Sequence, residues 1–209
     1  MPTKNRKPRL LFIHGGMTFK NRREYLDYLW TREISLEKKE KWHRTYLDEK
    51  LGRQFEIIRP NMPLSDDAKY EDWKIHFERY LTFLRAGDIL IGSSLGGMFL
   101  AKYLSENKLS KKFLSVYLVA PPYDGNLPGE ELVGGFRLKS DLSLLEKSCR
   151  HLHLLFSEND DVVPPTHAAK YAIKLESAHI AIYSHIVGHF KVAEFPEIIK
   201  MIKSEMRRK

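Results

Sequence analysis

Residues 88–103 read Asp88-Ile-Leu-Ile-Gly92-Ser-Ser94-Leu-Gly96-Gly97-Met-Phe-Leu-Ala-Lys-Tyr103, and they are the most informative part of this sequence. Apolar residues that favour a buried strand come first, then Gly-Ser-Ser-Leu-Gly, then a run with helical character. The pattern G-x-S-x-G between a strand and a helix is typical of a sharp turn that presents a serine outward. Glycines at 92 and 96 let the strand and the helix approach each other closely. The stretch therefore predicts Ser94 as a nucleophile, with the Leu95 amide at the helix N-terminus directed toward an oxyanion.

The same stretch permits a second interpretation, because a glycine-rich turn between strand and helix can also bind a phosphate. The Walker pattern is absent, since no Gly-Lys-Ser/Thr follows, and the dinucleotide pattern G-x-G-x-x-G is absent too. The pattern G-x-S-x-G also occurs by chance in many sequences. From this stretch alone, both interpretations remain possible: a catalytic serine and a phosphate-binding turn. Ser93 occupies only the variable position before Ser94.

Length and composition indicate one globular domain. The chain has 209 residues, of which 43% are hydrophobic and 30% charged, as is ordinary for a soluble protein. No apolar run approaches membrane-spanning length, and the apolar residues that follow the basic N-terminus are too few for a signal peptide. Cys149 is the only cysteine, which is compatible with a reducing compartment. We therefore expect a cytoplasmic protein without a membrane partner.

The net charge of +8 raises the question of an acidic partner such as nucleic acid. The basic clusters lie at the two tails, from Lys4 to Arg9 and from Arg207 to Lys209, and no recognised nucleic-acid motif accompanies them. The interpretation that follows is a solvated basic surface. We expect no nucleic-acid partner.

Strands and helices alternate along the whole chain, which predicts a three-layer α/β/α sandwich around a mostly parallel six-stranded sheet. The predicted strands are residues 9–13, 55–59, 89–91, 113–119, 151–156 and 179–183, and the helices after residue 52 are 70–84, 95–105, 142–149, 166–176 and 193–206. A single domain of residues 1–209 is expected, with a helical insertion at about 18–52. Apolar positions within 25–30 predict its first helix, and those within 36–51 predict a second that Ser35 caps.

Reactive groups in a parallel sheet belong at the carboxyl ends of the strands. Four such ends carry relevant chemistry: His14-Gly-Gly16, Ser94, the stretch Ser157-Glu-Asn-Asp160-Asp-Val-Val-Pro164, and Val187-Gly-His189-Phe190. A serine, an acidic group and a histidine thus follow one another along the chain. This is the residue set of a nucleophile, an orienting acid and a general base.

With these motifs in this order, the chain resembles the α/β-hydrolase superfamily, in particular the compact serine hydrolases related to retinoblastoma-binding protein. The resemblance covers nearly the whole length and implies a minimal form of the α/β-hydrolase fold. It implies that Ser94 is the nucleophile, that Asp160 is the acid that precedes x-Val-Val-Pro, and that His189 is the base. Asp161 and His185 remain competing candidates for the last two roles.

The resemblance also implies an oxyanion hole formed by the backbone amides of Gly16 and Leu95, and a structural role for His14. Tyr123 and Phe136, in the Gly- and Pro-rich loop 121–140, are candidate walls of a substrate pocket, although ordinary packing explains them equally well.

Two departures from larger members bear on the substrate. The antiparallel strands that open those proteins are missing, and segment 18–52 is long enough to overhang the site as part of a cap. No metal or organic cofactor is expected, because the triad needs none and no acidic residue lies next to His151 or His153 in sequence.

The expected activity is a serine hydrolase that cleaves an ester of a small or medium acyl group through an acyl-enzyme. The same triad also serves amides, peptides and thioesters. The alternative is a protein-interaction module on a hydrolase fold with weak or no hydrolysis, because a fold does not fix a function. The oligomeric state is left open.

Overall fold

The computed structural model describes residues 6–37 and 40–207. Within them, six parallel strands form one sheet in the order β2-β1-β3-β4-β5-β6. The strands are β1 (Arg9–Ile13), β2 (Glu56–Ile58), β3 (Ile89–Ser93), β4 (Phe113–Val119), β5 (Cys149–Ser157) and β6 (His179–Tyr183). The predicted parallel sheet is confirmed. Residues 4, 5, 208 and 209 of the two basic tail clusters lie outside the described residues.

Helices connect the strands and cover both faces of the sheet, which confirms the predicted three-layer arrangement. They are α1 (Arg22–Thr31), α2 (Thr45–Leu51), α3 (Tyr70–Leu81), α4 (Leu95–Glu106), α5 (Ser143–Lys147), α6 (Thr166–Ala172) and α7 (Pro196–Arg207). Helix α2 contacts α7, whereas α3 and α5 both contact α4. No helix in the described part of the chain combines the length and apolarity needed to cross a membrane.

The central strands are apolar along almost their whole length because both faces of the sheet are covered. Every residue of β1 and β4 is buried, as are the first four residues of β3. The aromatic stripe of α3 is buried against α4, where Trp73 and Phe77 both contact the ring of Phe99. This packing sets the position of α4, and hence of the turn that precedes it.

Helix α7 is joined to the sheet by a buried polar cluster. The Glu205 carboxylate accepts hydrogen bonds from Ser115 Oγ at 2.5 Å, from Tyr117 OH at 2.6 Å and from His153 Nε2 at 2.6 Å. Burial by itself raises the pKa of Glu205, but these hydrogen bonds outweigh burial and lower the pKa below its ordinary value. His153 therefore has an acidic partner that lies far away in sequence.

The segment between β1 and β2 differs from its prediction. Helix α2 begins at Thr45, not near Leu36, which is fully exposed. Ser35 Oγ accepts a hydrogen bond from Glu37 N, so it forms a local turn and caps no helix. The apolar pattern overestimated this helix because Leu36 does not face the core, and the buried positions of the helix itself are Tyr46, Leu47 and Leu51.

The strand order reverses at β1, which lies between β2 and β3. In open parallel sheets, the crevice beyond the carboxyl ends of the strands at such a reversal is the usual ligand site. His14 and Gly15 follow β1 here, and Ser94 follows β3. The topology thus brings two of the four predicted strand ends together.

Candidate active site

The turn at Ser94 has the geometry of a strained elbow. Ser94 has φ 55° and ψ −126°, a region that residues with a Cβ rarely occupy. Its amide donates to Val119 O at 2.8 Å, and its carbonyl accepts from Gly97 N at 2.8 Å and Met98 N at 3.1 Å. Hydrogen bonds to the next strand and to the first turn of α4 therefore hold Ser94 in this conformation.

Two glycines make this turn sterically feasible. A Cβ at Gly92 would lie 2.4 Å from Gly96 O, and a Cβ at Gly96 would lie 2.4 Å from Ile13 O. Gly15 is less tightly enclosed but still close, since a Cβ there would lie 3.0 Å from Ser94 Cβ. The strand, the helix and the end of β1 can meet around Ser94 only because these positions lack side chains.

His189 and Asp160 form a buried pair at the ends of β6 and β5. His189 Nδ1 lies 2.8 Å from Asp160 Oδ2, and the Asp160 side chain is fully buried. The other carboxylate oxygen, Oδ1, accepts from the amides of Val162 and Val163, each at 2.9 Å. Both carboxylate oxygens face the imidazole, since Oδ1 also lies 3.0 Å from His189 Nδ1, and Oδ2 is the nearer of the two.

The competing candidates lie elsewhere. Asp161 is exposed and pairs with Lys191 at 2.9 Å, and the hydrogen bond from Lys191 lowers the pKa of Asp161. His185 is exposed and contacts Glu197 at 2.9 Å. The structure thus brings Asp160 to His189, and it places Asp161 and His185 in surface ion pairs.

Hydrogen bonds hold the loop that carries His189 to the loop after β5 and to the first crossover. Gly188 N donates to Asn159 Oδ1 at 2.9 Å, and Ser157 Oγ donates to Ile186 O at 2.7 Å. Trp42, which is buried between the sheet and α7, donates its amide to Val192 O at 3.0 Å. The first crossover and the loop after β5 therefore both position the histidine.

Ser94 and His189 line the same cavity, whose volume is about 790 Å³. His189 Nε2 is buried and has no hydrogen-bond partner among the described residues, so its hydrogen bond to Ser94 is not formed here. Catalytic hydrogen bonds are often open in free enzymes and tighten when substrate binds. The unpaired nitrogen is the atom that a general base would use.

The walls of this cavity come from four places: the ends of β1 and β3, the segment after β2, the first crossover, and the loop after β6. The lining residues are Phe12, His14, Gly15, Glu40, Lys41, Trp42, His43, Arg44, Asn61, Ser65, Asp66, Ser93, Ser94, His189, Phe190 and Lys191. Segment 40–44, part of the predicted insertion, therefore contributes directly to the site.

Two histidines in this lining have different roles. His14 Nε2 accepts from Met62 N at 3.0 Å, and His14 Nδ1 lies 2.6 Å from Gly15 O, so His14 holds its turn to the segment after β2. His43 stacks on Phe12 with ring centroids 4.6 Å apart. Burial, with smaller contributions from the neighbouring cations, lowers the pKa of His43 to about 4, so this ring is neutral at pH 7. Sequence reasoning treated His43 only as part of a helical face.

A second, much smaller space lies on the other side of Ser94. Its volume is about 10 Å³, and its lining includes Gly16, Leu95 and Glu130. Gly16 is tightly enclosed, because a Cβ there would lie 2.6 Å from Ser65 O. Burial raises the pKa of Glu130, opposed by the charge of His189 and reinforced by that of Asp160. No motif pointed to Glu130, which the loop after β4 brings to the site.

The predicted pocket walls do not line either space. Phe136 is buried against Trp73, with ring centroids 5.4 Å apart, and Tyr123 packs on Tyr171 at 5.0 Å. The aromatic character that suggested a pocket serves packing at these two positions. Within the described residues, no cluster of three or more His, Cys, Asp or Glu could hold a metal ion.

Known proteins resemble this chain in sequence and in fold. The sequence profile of the family described as serine hydrolase matches residues 36–204. The ydeN gene product from B. subtilis is 20% identical, with a TM-score of 0.76 over 96% of this chain and 99% of that one. Alpha/beta hydrolase domain-containing protein 10 from mouse is 16% identical, with a TM-score of 0.62 over 98% of this chain and 92% of that one. The esterase domain from a Rhodothermus marinus protein is 19% identical, with a TM-score of 0.55 over 96% of this chain and 86% of that one. The sequence has no match among curated proteins.

Proposed function

The chain belongs to the serine hydrolase family of the α/β-hydrolase superfamily, and we propose that it cleaves esters of small or medium acyl groups through a Ser94-His189-Asp160 triad. The observation that carries this proposal is the strained elbow at Ser94, which faces the same cavity as the His189–Asp160 pair. An esterase domain is among the solved structures that share the fold.

The chemistry follows from the two nitrogens of His189. Asp160 accepts a hydrogen bond from Nδ1–H and thereby selects the tautomer whose Nε2 is a free acceptor. Nε2 takes the proton of Ser94 as Oγ attacks the ester carbonyl carbon, and then gives that proton to the leaving alcohol. An acyl-serine remains. Water then attacks the acyl carbon, His189 accepts its proton and returns it to Ser94, and the acid is released.

The oxyanion of each tetrahedral intermediate is assigned to the amides of Gly16 and Leu95. Leu95 is the first residue of α4, so its amide lies at the positive end of the helix dipole. Gly16 lines the same small space next to Ser94. One such donor is worth about 3–4 kcal/mol in comparable enzymes, so two of them supply a large part of the rate acceleration.

Labelling with a fluorophosphonate tests the nucleophile. Intact-mass analysis should find one adduct, which is lost in Ser94→Ala and retained in Ser93→Ala, the neighbour that also faces the cavity. Labelling of Ser94→Ala at an unchanged rate would contradict the assignment.

A panel of matched esters, amides and thioesters then separates the bond types. Hydrolysis of the esters with the highest kcat/KM supports the proposal. A protein that neither reacts with the probe nor cleaves any of the three would instead favour the interaction module.

A further inference from the structure

Two spaces of very different size flank Ser94, and we propose that they divide the substrate into a short acyl group and a large, polar leaving group. The cavity on one side has a volume of about 790 Å³, and the space on the other side about 10 Å³. The inference rests on the function proposed above and narrows its substrate class to acetyl or propionyl esters of bulky alcohols.

The position of His189 determines which of the two spaces binds the alcohol and which binds the acyl group. The leaving oxygen must receive its proton from His189 Nε2, so the alcohol has to lie beside the imidazole. His189 lines the large cavity and does not line the small space. The alcohol therefore extends into the large cavity, and the acyl group is directed to the opposite side of Ser94.

The small space limits the length of the acyl group. A volume of about 10 Å³ corresponds to roughly one water-sized group. Gly16 and Leu95 line it, so the carbonyl oxygen shares this side with the acyl substituent. Together with the oxygen, a methyl or ethyl group requires a small enlargement of this space, whereas a longer chain also has to displace Leu127 and Leu132, which close the space from the loop after β4.

Several contacts hold in place the residues of the loop after β4 that close the small space. Thr18, which is buried, donates from Oγ1 to Glu131 O at 2.5 Å and accepts from Val133 N at 3.0 Å. Leu127 and Glu130 form a local β-bridge in the same loop, and Lys20 pairs with Glu131. These contacts hold Leu132 between two fixed neighbours and oppose widening of the space.

Charge adds a second restriction on the acyl side. Glu130 lines the small space, so a second carboxylate on the acyl group, as in a succinyl ester, would lie against another carboxyl group with no Lys, Arg or His among the lining residues. The large cavity has a different character, since cationic side chains (Lys41, Arg44 and Lys191) and carboxylates (Glu40 and Asp66) both line it. Its volume lies in the range of ordinary ligand pockets, and its charged side chains suit a polar alcohol.

The test is the acyl-length profile of one alcohol series. We expect kcat/KM for 4-nitrophenyl esters to fall at least about tenfold from acetyl to butyryl and further to octanoyl, since one methylene too many in a closed pocket costs about 10- to 200-fold. The ratio kcat/KM reports acylation, so slow deacylation of longer acyl groups does not enter. Removing side-chain volume with Leu132→Ala should raise the butyryl-to-acetyl ratio at least about tenfold.

Leu138→Ala is the matched control, because Leu138 lies in the same loop region and packs on the core without lining either space. It should leave the ratio unchanged. If Leu132→Ala does not fold, Leu127→Ala widens the same space from the other side of the bridge. A wild-type preference for octanoyl, or a ratio that widening leaves unchanged, overturns the inference. Fluorophosphonate labelling of Ser94 separates these results from a failure of the proposed function, which would show no labelling.

Discussion

Replacement of Asp160 by Asn should nearly abolish hydrolysis although the two side chains have the same shape. Asp160 Oδ1 accepts two backbone amides and lies 3.0 Å from His189 Nδ1, whereas Oδ2 makes the shorter contact to Nδ1, at 2.8 Å. An asparagine keeps both amide hydrogen bonds only if its carbonyl oxygen takes the place of Oδ1. Its NH2 group then takes the Oδ2 position, which is the nearer of the two to His189 Nδ1, and donates to that nitrogen, which moves the imidazole proton to Nε2 and removes the base.

The alternative side-chain flip does not rescue the variant. A flipped asparagine would present its NH2 group to the amides of Val162 and Val163, leaving two buried donors unsatisfied at about 1–3 kcal/mol each. The wrong tautomer is therefore favoured. In the serine protease triad the same change lowers turnover about 10⁴-fold, and we expect a loss of about 10³- to 10⁴-fold here, or about 4–5.5 kcal/mol in the barrier.

Asp161→Asn is the matched control. Asp161 forms an exposed ion pair with Lys191, and such pairs contribute at most about 1 kcal/mol, so the loss should stay below about fivefold. The assay is kcat/KM for an acetyl ester at pH 7.5, with circular dichroism and thermal unfolding to establish that both variants fold. The reasoning fails if Asp160→Asn retains more than about a tenth of wild-type activity, or if Asp161→Asn is the impaired variant.

Two further predictions concern the framework of the site. Gly96→Ala should inactivate or unfold the protein, because the new Cβ would lie 2.4 Å from Ile13 O. Gly125→Ala is the control and should change the melting temperature little, because the nearest atom to its Cβ would be 3.9 Å away. Equal melting temperatures of the two variants in thermal unfolding would contradict this prediction. Glu205→Gln should lower the free energy of unfolding at pH 7 by about 2–4 kcal/mol in urea titrations, against less than about 0.5 kcal/mol for the exposed Glu194→Gln. Since folding lowers the pKa of Glu205 below 4.5, its contribution is present above that pH and is lost as the pH falls through the folded-state value, so the difference in unfolding free energy between Glu205→Gln and wild type should shrink as the pH falls below 4.5.

Sequence was sufficient where the chemistry is local. Gly92, Ser94 and Gly96 stand within one turn, and their spacing alone implies the close approach that the structure contains. The parallel sheet was equally accessible, because each strand is a short apolar run bounded by polar turns. Local patterns suffice when the interacting atoms are a few residues apart.

Sequence was insufficient where tertiary contacts choose between neighbours. Asp160 and Asp161 are adjacent acids after one strand, and only the direction of the following amides separates them. His43 and Glu130 come from segments without a motif, and the fold brings them to the site from opposite sides. Phe136 was a candidate pocket wall, but the structure buries it in the core, because an aromatic side chain suits either position and the sequence does not distinguish them.

The backbone at Ser94 also bears on whether this chain could be an interaction protein that has given up catalysis. A non-glycine residue held at φ 55° costs about 1–3 kcal/mol, a sizeable fraction of the total stability of a typical domain. Glycine at this position would relieve the strain and remove the hydroxyl in a single substitution. Selection for binding alone therefore has a stabilising mutation immediately within reach, and a serine kept at position 94 works against stability unless its oxygen is used.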